Sequence, residues 1–425
     1  MPASSEFTSQ PAKLILVLSL AAAIGIGIAR FGYALVLPDM RDNLGWSYSA
    51  AGFMGTMNAA GYLAGALVAP RLLRRFGWTA AVHGGTLACI ASLALCALSG
   101  NFILLGVARL IAGSGAAAAF IAGGGLAANI AQSQPHRASF LLSLFYAGPG
   151  IGIVASGLVA PFALQAFGPG SWWIAWCEMT ALGALLALPV LLMRFDLPVS
   201  RSAAPVGGFQ IAPVANYLAG YFLFGAGYIA YMTFMIALVR DAGGGAAAQA
   251  GFWGLVGISA FAAPWIWRRV LAFNRGGLAT SIMIAVSAVG AMLPMFGHSA
   301  ALLATSAVVF GAAFFAVVGS STAFVRLNYP PAAWPTAIAA MTSCFGIGQT
   351  LGPIVVGMAT DALGNLGYAL NVSAGILVAA ALSTLLQGRL QDRLHGDATA
   401  ARLRSLHKRQ DTLAIAHLQQ DASDA

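Results

Sequence analysis

The chain has 425 residues, of which 59% are hydrophobic and 8% charged, and its mean hydropathy is +0.82. Soluble domains carry about 25% charged residues, so this composition excludes an ordinary globular protein. The net charge of +9 arises from basic residues clustered between apolar runs, which is typical of membrane loops and not of a nucleic-acid-binding surface. We therefore predict an all-α polytopic membrane protein with no nucleic-acid partner.

Twelve apolar runs follow in chain order, each long enough to cross a hydrocarbon core of about 30 Å. The predicted spans are 14–37, 50–69, 79–99, 102–130, 140–164, 172–193, 214–239, 250–267, 276–296, 300–325, 336–363 and 366–387. They divide into an N-terminal tail at 1–12, two six-helix bundles at 13–193 and 214–388, a linker at 194–213 and a basic tail at 389–425. The C-terminal tail fits an amphipathic helix on the anionic inner leaflet or a solvated segment.

The distribution of Lys and Arg residues predicts how the protein is oriented in the membrane. Only Arg41 and Arg240 fall in loops on one side of the predicted membrane, while the other basic loop residues fall on the opposite side. The positive-inside rule then predicts that both termini are cytoplasmic in a bacterial inner membrane.

The two halves of the chain repeat. Ala51-Gly-Phe-Met-Gly55 recurs as Ala250-Gly-Phe-Trp-Gly254, and Gly27 and Tyr33 recur 198 residues later as Gly225 and Tyr231. Parallel repeats of this kind are typical of secondary transporters whose substrate site lies between the bundles near mid-membrane. We expect such a transporter, acting as a monomer in the lipid bilayer.

Three charged residues lie deep inside the first six spans. At 1.5 Å per residue, Arg30, Arg109 and Glu178 lie roughly 13, 12 and 10 Å from the same boundary. Each arginine costs about 2.5–3.5 kcal/mol to insert, so a use for the charge is expected. Two cations and one carboxylate favour an anionic substrate group, but both arginines could instead pair with Glu178 or with helix carbonyls.

The second half offers mostly hydroxyl and amide groups. Tyr228 corresponds to Arg30 at the repeat offset, and Tyr231 and Gln349 lie nearby on the predicted spans. We predict that Arg30, Tyr33, Arg109, Tyr228, Tyr231 and Gln349 bind the substrate. Because no ATP-binding motif is present, an ion gradient or solute exchange must supply the drive, and Glu178 is the candidate for proton coupling.

Small residues recur on predicted helices five and eleven. Gly148 and Gly152, with Pro149, correspond to Gly348 and Gly352, with Pro353. Small residues at this spacing let helices approach closely in lipid. The faces serve static packing, a surface on helices five and eleven across which the two bundles rock, or both.

The sequence does not favour an enzyme. The four cysteines lie in apolar runs, and the six histidines lie at helix ends, in loops or in the tail. No metal-ligand spacing results, and no histidine is placed as a base for Ser114 in Gly113-Ser-Gly115. Gly25-Ile-Gly27 does not follow a strand, so no nucleotide cofactor is expected.

Several motifs resemble the major facilitator superfamily over nearly the whole chain. Gly27-Ile-Ala-Arg30-Phe-Gly-Tyr33, Phe224-Gly-Ala-Gly-Tyr228-Ile and Phe345-Gly-Ile-Gly-Gln349 look like its YbfB/YjiJ branch, and Arg109-Leu-Ile-Ala-Gly113 resembles its helix-four motif. The resemblance implies that helices one, four, seven and ten line the cavity, and that helix six lies outside them.

The loop after helix two departs from the superfamily pattern Gly-x-x-x-Asp-Arg-x-Gly. Arg75 and Gly77 match the pattern, but Arg74 replaces the acid, so the resemblance assigns Arg74 and Arg75 to the cytoplasmic gate without its usual charge relay.

We expect a carrier of a small anionic solute. An efflux carrier for amphipathic compounds and a transport-inactive membrane sensor are the alternatives.

Overall fold

The computed structural model describes residues 11–194, 210–271, 276–330 and 333–390. Within these ranges the chain is helical without strands, and eleven helices are long and apolar enough to cross a membrane. One of them, Tyr48–Leu98, has 51 residues and breaks at Gly77, where φ is 80° and ψ is 177°. Only glycine adopts this conformation at no steric cost. The break divides this helix into two spans, so the described chain has the twelve expected spans.

We number the spans α1 to α12 in chain order. Their bounds are α1 Pro11–Leu44, α2 48–76, α3 78–98, α4 Phe102–Gln132, α5 Phe140–Phe167, α6 Trp172–Leu192, α7 Ala215–Asp241, α8 Ala246–Ile266, α9 Leu278–Met292, α10 Ala300–Asn328, α11 Trp334–Leu363 and α12 Leu366–Leu385. The predicted spans agree to within several residues, except that α2 continues as helix past Pro70 into the predicted loop. The linker and the tails, apart from residues 11, 12, 194, 210–213, 389 and 390, lie outside the described residues.

The loops that follow odd-numbered helices meet at one end of the molecule, which we call the distal end; Pro11 lies at the opposite, proximal end. Side chains at four of these loops cap the next helix. Ser47, Asn101, Ser299 and Asn365 accept hydrogen bonds from backbone N–H groups in the first turns of α2, α4, α10 and α12. Such caps satisfy donors that have no partner within the helix.

The predicted glycine faces pack within each bundle. A Cβ atom on Gly148 or Gly152 would overlap the carbonyl oxygen of Ser19 or Ala23 on α1, and the carbonyl oxygen of Pro149 faces Gly27 of α1. The rocking-surface interpretation is therefore wrong for Gly148 and Gly152, because the close approach that they permit is to their own bundle. A role for Pro149 stays a prediction.

The same arrangement recurs in the second half. Gly348 and Gly352 face α7, where a Cβ atom would overlap the carbonyl oxygens of Phe222 and Ala226. The rocking-surface interpretation is wrong for these two glycines too. Pro353 differs from them, because its carbonyl oxygen faces Gly52 of α2 in the other bundle.

The most extensive contacts between the bundles are made by α2 with α11 and by α5 with α8. Gly150 faces the carbonyl oxygen of Gly257, and Gly357 faces Tyr48. Helices α5 and α11 therefore lie at the bundle contacts, as the rocking interpretation required, but they meet α8 and α2 through residues other than the predicted glycines. Movement across these contacts stays a prediction.

Arg74 and Arg75 lie exposed at the proximal end of α2. The guanidinium carbon of Arg75 lies 5.3 Å from the ring centroid of Phe76. No ion pair joins either arginine to a carboxylate of the described residues. Their gating role stays a prediction.

Candidate substrate cavity

The middle of α1 is wound as a π-helix from Ala23 to Phe31. π-Helical turns are rare and frequently occur at functional sites. Arg109 of α4 donates from Nη1 to the carbonyl oxygen of Ala29 at 2.5 Å and from Nη2 to that of Arg30 at 3.0 Å. Its side chain thereby fixes the backbone of the segment that carries Arg30.

Arg109 is 2% exposed, and its Nε has no hydrogen-bond partner in the structure. Its guanidinium carbon lies 4.9 Å from the ring centroid of Tyr33 and 5.8 Å from that of Trp176. Of the interpretations left open by the sequence, bonding to helix carbonyls therefore describes Arg109.

Arg30 joins the two bundles. Its Nη2 donates to Oε1 of Gln349 on α11 at 2.7 Å and to the hydroxyl of Tyr228 on α7 at 3.4 Å, and Nε2 of Gln349 donates to the same hydroxyl at 2.5 Å. Arg30 is 6% exposed, and its Nε has no partner in the structure. The hydrogen-bond partners of this buried cation among the described residues are thus neutral groups.

A small cavity lies beside both arginines, with a volume of about 20 Å³. It is lined by Arg30, Phe31, Tyr33, Ala34, Gly55, Asn58, Arg109, Ile229, Met232 and Thr233. This volume corresponds to about one water molecule. An organic solute can therefore reach the arginines only when the bundles separate.

Tyr33 and Tyr231 occupy equivalent positions of the repeat but have different surroundings. Tyr33 lines the cavity, and its hydroxyl donates to the carbonyl oxygen of Ala51 at 2.8 Å. Tyr231 is 1% exposed, hydrogen-bonds Ser306 at 2.5 Å and stacks on Phe310 at 3.9 Å. The structure therefore brings Tyr33, Tyr228 and Gln349 to the arginines but places Tyr231 in the core of the second bundle.

Glu178 lies away from this site. It lines an apolar groove of about 590 Å³ whose other walls are residues of α5 and α6, including Leu158, Phe162 and Leu185. No cation of the described residues pairs with it. Its height along α6 was predictable from the helical rise, but its direction around the helix was not. The alternative in which Glu178 pairs with the arginines is therefore wrong, and its role in proton coupling stays a prediction.

An inter-bundle network that the sequence analysis missed lies at the distal end. Arg240 donates to Asp42 at 2.6 Å, and the Asp361 carboxylate accepts from the backbone N–H groups of Tyr48 and Ser49 at 2.8 and 2.9 Å. Asp42 and Arg240 are 198 residues apart, the same offset that separates Arg30 from Tyr228. Equivalent residues of the repeat thus face each other across α1 and α7, which was the signal available in the sequence.

Cysteine and histidine side chains have structural contacts. Cys89 donates to the carbonyl oxygen of Ala112 at 3.5 Å, and Nε2 of His83 lies 2.9 Å from the carbonyl oxygens of Val190 and Met193. Among the described residues, no three His, Cys, Asp or Glu side chains are grouped to hold a metal ion.

Comparison with known proteins identifies the family. The profile of the family described as "Uncharacterised MFS-type transporter YbfB" matches residues 22–385. The chain belongs to this family of the major facilitator superfamily. It is a multi-pass membrane protein of a transporter family, as the sequence predicted.

Individual relatives match this chain over a short segment or with low sequence identity. The Putative transporter AraJ of Escherichia coli (strain K12) is 32% identical over 101 residues, which cover 24% of this chain and 25% of AraJ. A mutant of the nucleoside transporter NupG has 16% identity and a TM-score of 0.68, covering 88% of this chain and 99% of its own. A bacterial homologue of the human lysosomal transporter Spinster, in an inward-facing and occupied conformation, has 16% identity and a TM-score of 0.62 and covers 88% and 96%. These structures confirm the major facilitator fold.

Proposed function

We propose that the protein is a secondary active transporter that moves a small anionic organic solute across the bacterial inner membrane by alternating access. The observation that carries this proposal is the Arg30 guanidinium, which is buried between the bundles and hydrogen-bonded to neutral Gln349 and Tyr228. A buried charge is costly unless it is paired. An anionic solute supplies the missing counter-charge when it binds.

The surrounding residues have distinct roles in this proposal. The solute carboxylate replaces Gln349 at Arg30, whose planar fork accepts a carboxylate in bidentate fashion. Gln349 and the Tyr228 hydroxyl then orient the solute, and Tyr33 forms part of the cavity lining. Arg109 keeps the α1 π-helix in place through its bonds to Ala29 and Arg30.

Transport requires that the distal contacts between the bundles open. In the structure Asp42 with Arg240 and Asp361 with the first turn of α2 hold the distal ends together. An ion gradient or exchange of two solutes supplies the drive. Glu178 lines a groove whose walls are residues of α5 and α6. We therefore assign it no step in ion coupling.

The test is transport by purified protein in liposomes. A thermal-shift screen against organic acids, amino acids and sugars selects the solute, and uptake of that labelled solute is measured in counterflow with Arg30→Gln as the control. Saturable uptake of an acid that needs Arg30 supports the proposal. Uptake of amphipathic compounds alone would support the efflux alternative, and binding without uptake would support a sensor.

Orientation has its own test. A reporter fused after Ala425 should be cytoplasmic, and one inserted at 166–171 should be periplasmic. The opposite locations would overturn the proposed topology.

A further inference from the structure

Aromatic rings surround the guanidinium of Arg30. Its Cζ atom lies 5.1 Å from the ring centroid of Tyr62 and 5.6 Å from that of Phe31. The ring of its partner Tyr228 stacks on Phe345 at 5.6 Å, with an interplanar angle of 9°, and on Phe224 at 5.0 Å and 14°. The cation therefore lies at one end of a group of stacked rings.

This group continues toward the proximal end along α7. Tyr221 stacks on Phe345 at 4.7 Å and 14°, and on Phe224 at 6.3 Å and 7°. On the other side of Tyr228, the ring of Phe314 lies at 5.9 Å and 22°. We call Tyr221, Phe224, Tyr228, Phe314 and Phe345 the aromatic wall; its rings are nearly parallel and come from α7, α10 and α11.

The first bundle presents rings opposite the aromatic wall. Tyr62 of α2 and Phe120 of α4 are half-buried, whereas Phe224 and Phe314 of the wall are fully buried. Phe120 meets Phe315 of α10 across the bundles, with ring centroids 6.2 Å apart and an interplanar angle of 82°. Rings of both bundles therefore meet on the proximal side of Arg30, with the cation at the distal end of the group, and a solute ring can enter between them only when the bundles separate.

We propose that the solute is a planar aromatic carboxylic acid whose carboxylate binds Arg30 and whose ring lies between Tyr62 and the aromatic wall. This inference rests on the proposed function, because it requires that Arg30 binds an anion. Aromatic pairs gain from stacking beyond the area that they bury, which is worth roughly threefold to tenfold in affinity. A saturated ring of the same size buries a similar area but lacks the flat π face.

The experiment compares matched acids by isothermal titration calorimetry on the purified full chain. Benzoate is compared with cyclohexanecarboxylate, phenylacetate with cyclohexylacetate, and benzamide serves as the uncharged analogue of benzoate. We expect each aromatic acid to bind at least threefold more tightly than its saturated partner, and benzamide to bind far more weakly than benzoate.

Variants connect the preference to the rings. Phe345→Leu and Tyr62→Leu should reduce the aromatic-to-saturated affinity ratio toward one, while retaining binding of the saturated acids. Phe296→Leu removes a ring that is 76% exposed, far from the cavity, and should leave the ratio unchanged. The use of two independent ring positions, one on each bundle, retains a test if either variant fails to fold.

The outcomes separate this inference from the proposed function. Equal affinities within both acid pairs, with binding still dependent on Arg30, would overturn the aromatic inference and leave the anion site standing. Binding of other acids but of neither pair would do the same. Benzoate affinity that is unchanged in Arg30→Gln, or equal affinities for benzoate and benzamide, would instead overturn the proposed anion site.

Discussion

Arg30 and Arg109 line the same cavity, but their hydrogen bonds differ in kind. Arg109 donates to two backbone carbonyls of α1, whereas Arg30 donates to two side chains of the opposite bundle. The backbone carbonyls of Ala29 and Arg30 are fixed within the helix, whereas the side chains of Gln349 and Tyr228 can rotate away. The bonds of Arg109 are therefore suited to be permanent, and those of Arg30 are suited to be replaced by bonds to a ligand.

Substituting the two arginines should therefore separate stability from binding. Arg109→Gln removes the hydrogen bonds of a charged group to two backbone carbonyls, worth about 1.5–3 kcal/mol each, and should lower the melting temperature. Arg30→Gln removes a charge that is held by neutral groups and should leave the melting temperature near that of the wild type. Differential scanning fluorimetry of both purified variants decides the point. Equal melting temperatures for the two variants would contradict these roles.

Gln349 provides a second test at the scale of single residues. Gln349→Glu places a carboxylate about 2.7 Å from Nη2 of Arg30, where the amide oxygen now lies. This built-in anion should compete with an anionic solute, so affinity for acids should fall at least tenfold while the protein stays folded. Gln349→Met, of similar size but uncharged, should weaken binding far less. Undiminished acid affinity in the Glu variant would mean that solutes do not displace Gln349.

At the scale of helices, close packing inside each bundle depends on glycines of paired helices. A Cβ atom on Gly152 would overlap the carbonyl oxygen of Ala23, whereas one on Gly254 of α8 would have no atom within 4 Å. Gly152→Ala should therefore lower the melting temperature and the membrane level, and Gly254→Ala should change neither. Equal stability of the two variants would show that α1 can shift away from α5 without cost.

The distal contacts between helices should control which end of the transporter is open. The Asp42–Arg240 pair is partly exposed, with side chains 49% and 30% exposed, and such pairs contribute about 0–1 kcal/mol. Asp361 accepts two N–H groups at the start of α2, where a carboxylate is also favoured by the helix dipole. We therefore expect Asp361→Ala to open the distal end more than Asp42→Asn does.

Spin labels can measure this opening. Leu98→Cys and Phe296→Cys are exposed distal positions on the two bundles, and exposed Cys177 is replaced by Ser. Electron-electron double resonance should show a longer label separation for Asp361→Ala than for Asp42→Asn or the parent. An identical distance distribution would show that these contacts do not hold the distal end closed.

For the whole molecule, the fold was predictable because membrane spans are long and apolar and because the halves repeat. The site was only partly predictable. Spacing along α1 and α6 gave the heights of Arg30 and Glu178 but not the direction of each side chain around its helix, so pairing of Glu178 with the arginines remained an open alternative until the helix faces were known. The contacts of Gly152 with α1 and of Asp361 with α2 depend on which helices are neighbours, and neither hydropathy nor the repeat offset determines this.

The central claim is that the charge of Arg30 is retained to bind an anion. The most direct measurement is the affinity of purified, folded Arg30→Gln for the acid that binds most tightly in the thermal-shift screen, with Arg30→Lys measured beside it. We expect at least a hundredfold loss for Gln and partial recovery for Lys, which restores the charge but not the bidentate fork. Unchanged affinity in Arg30→Gln would contradict the anion site and leave Arg30 as a structural link between the two bundles.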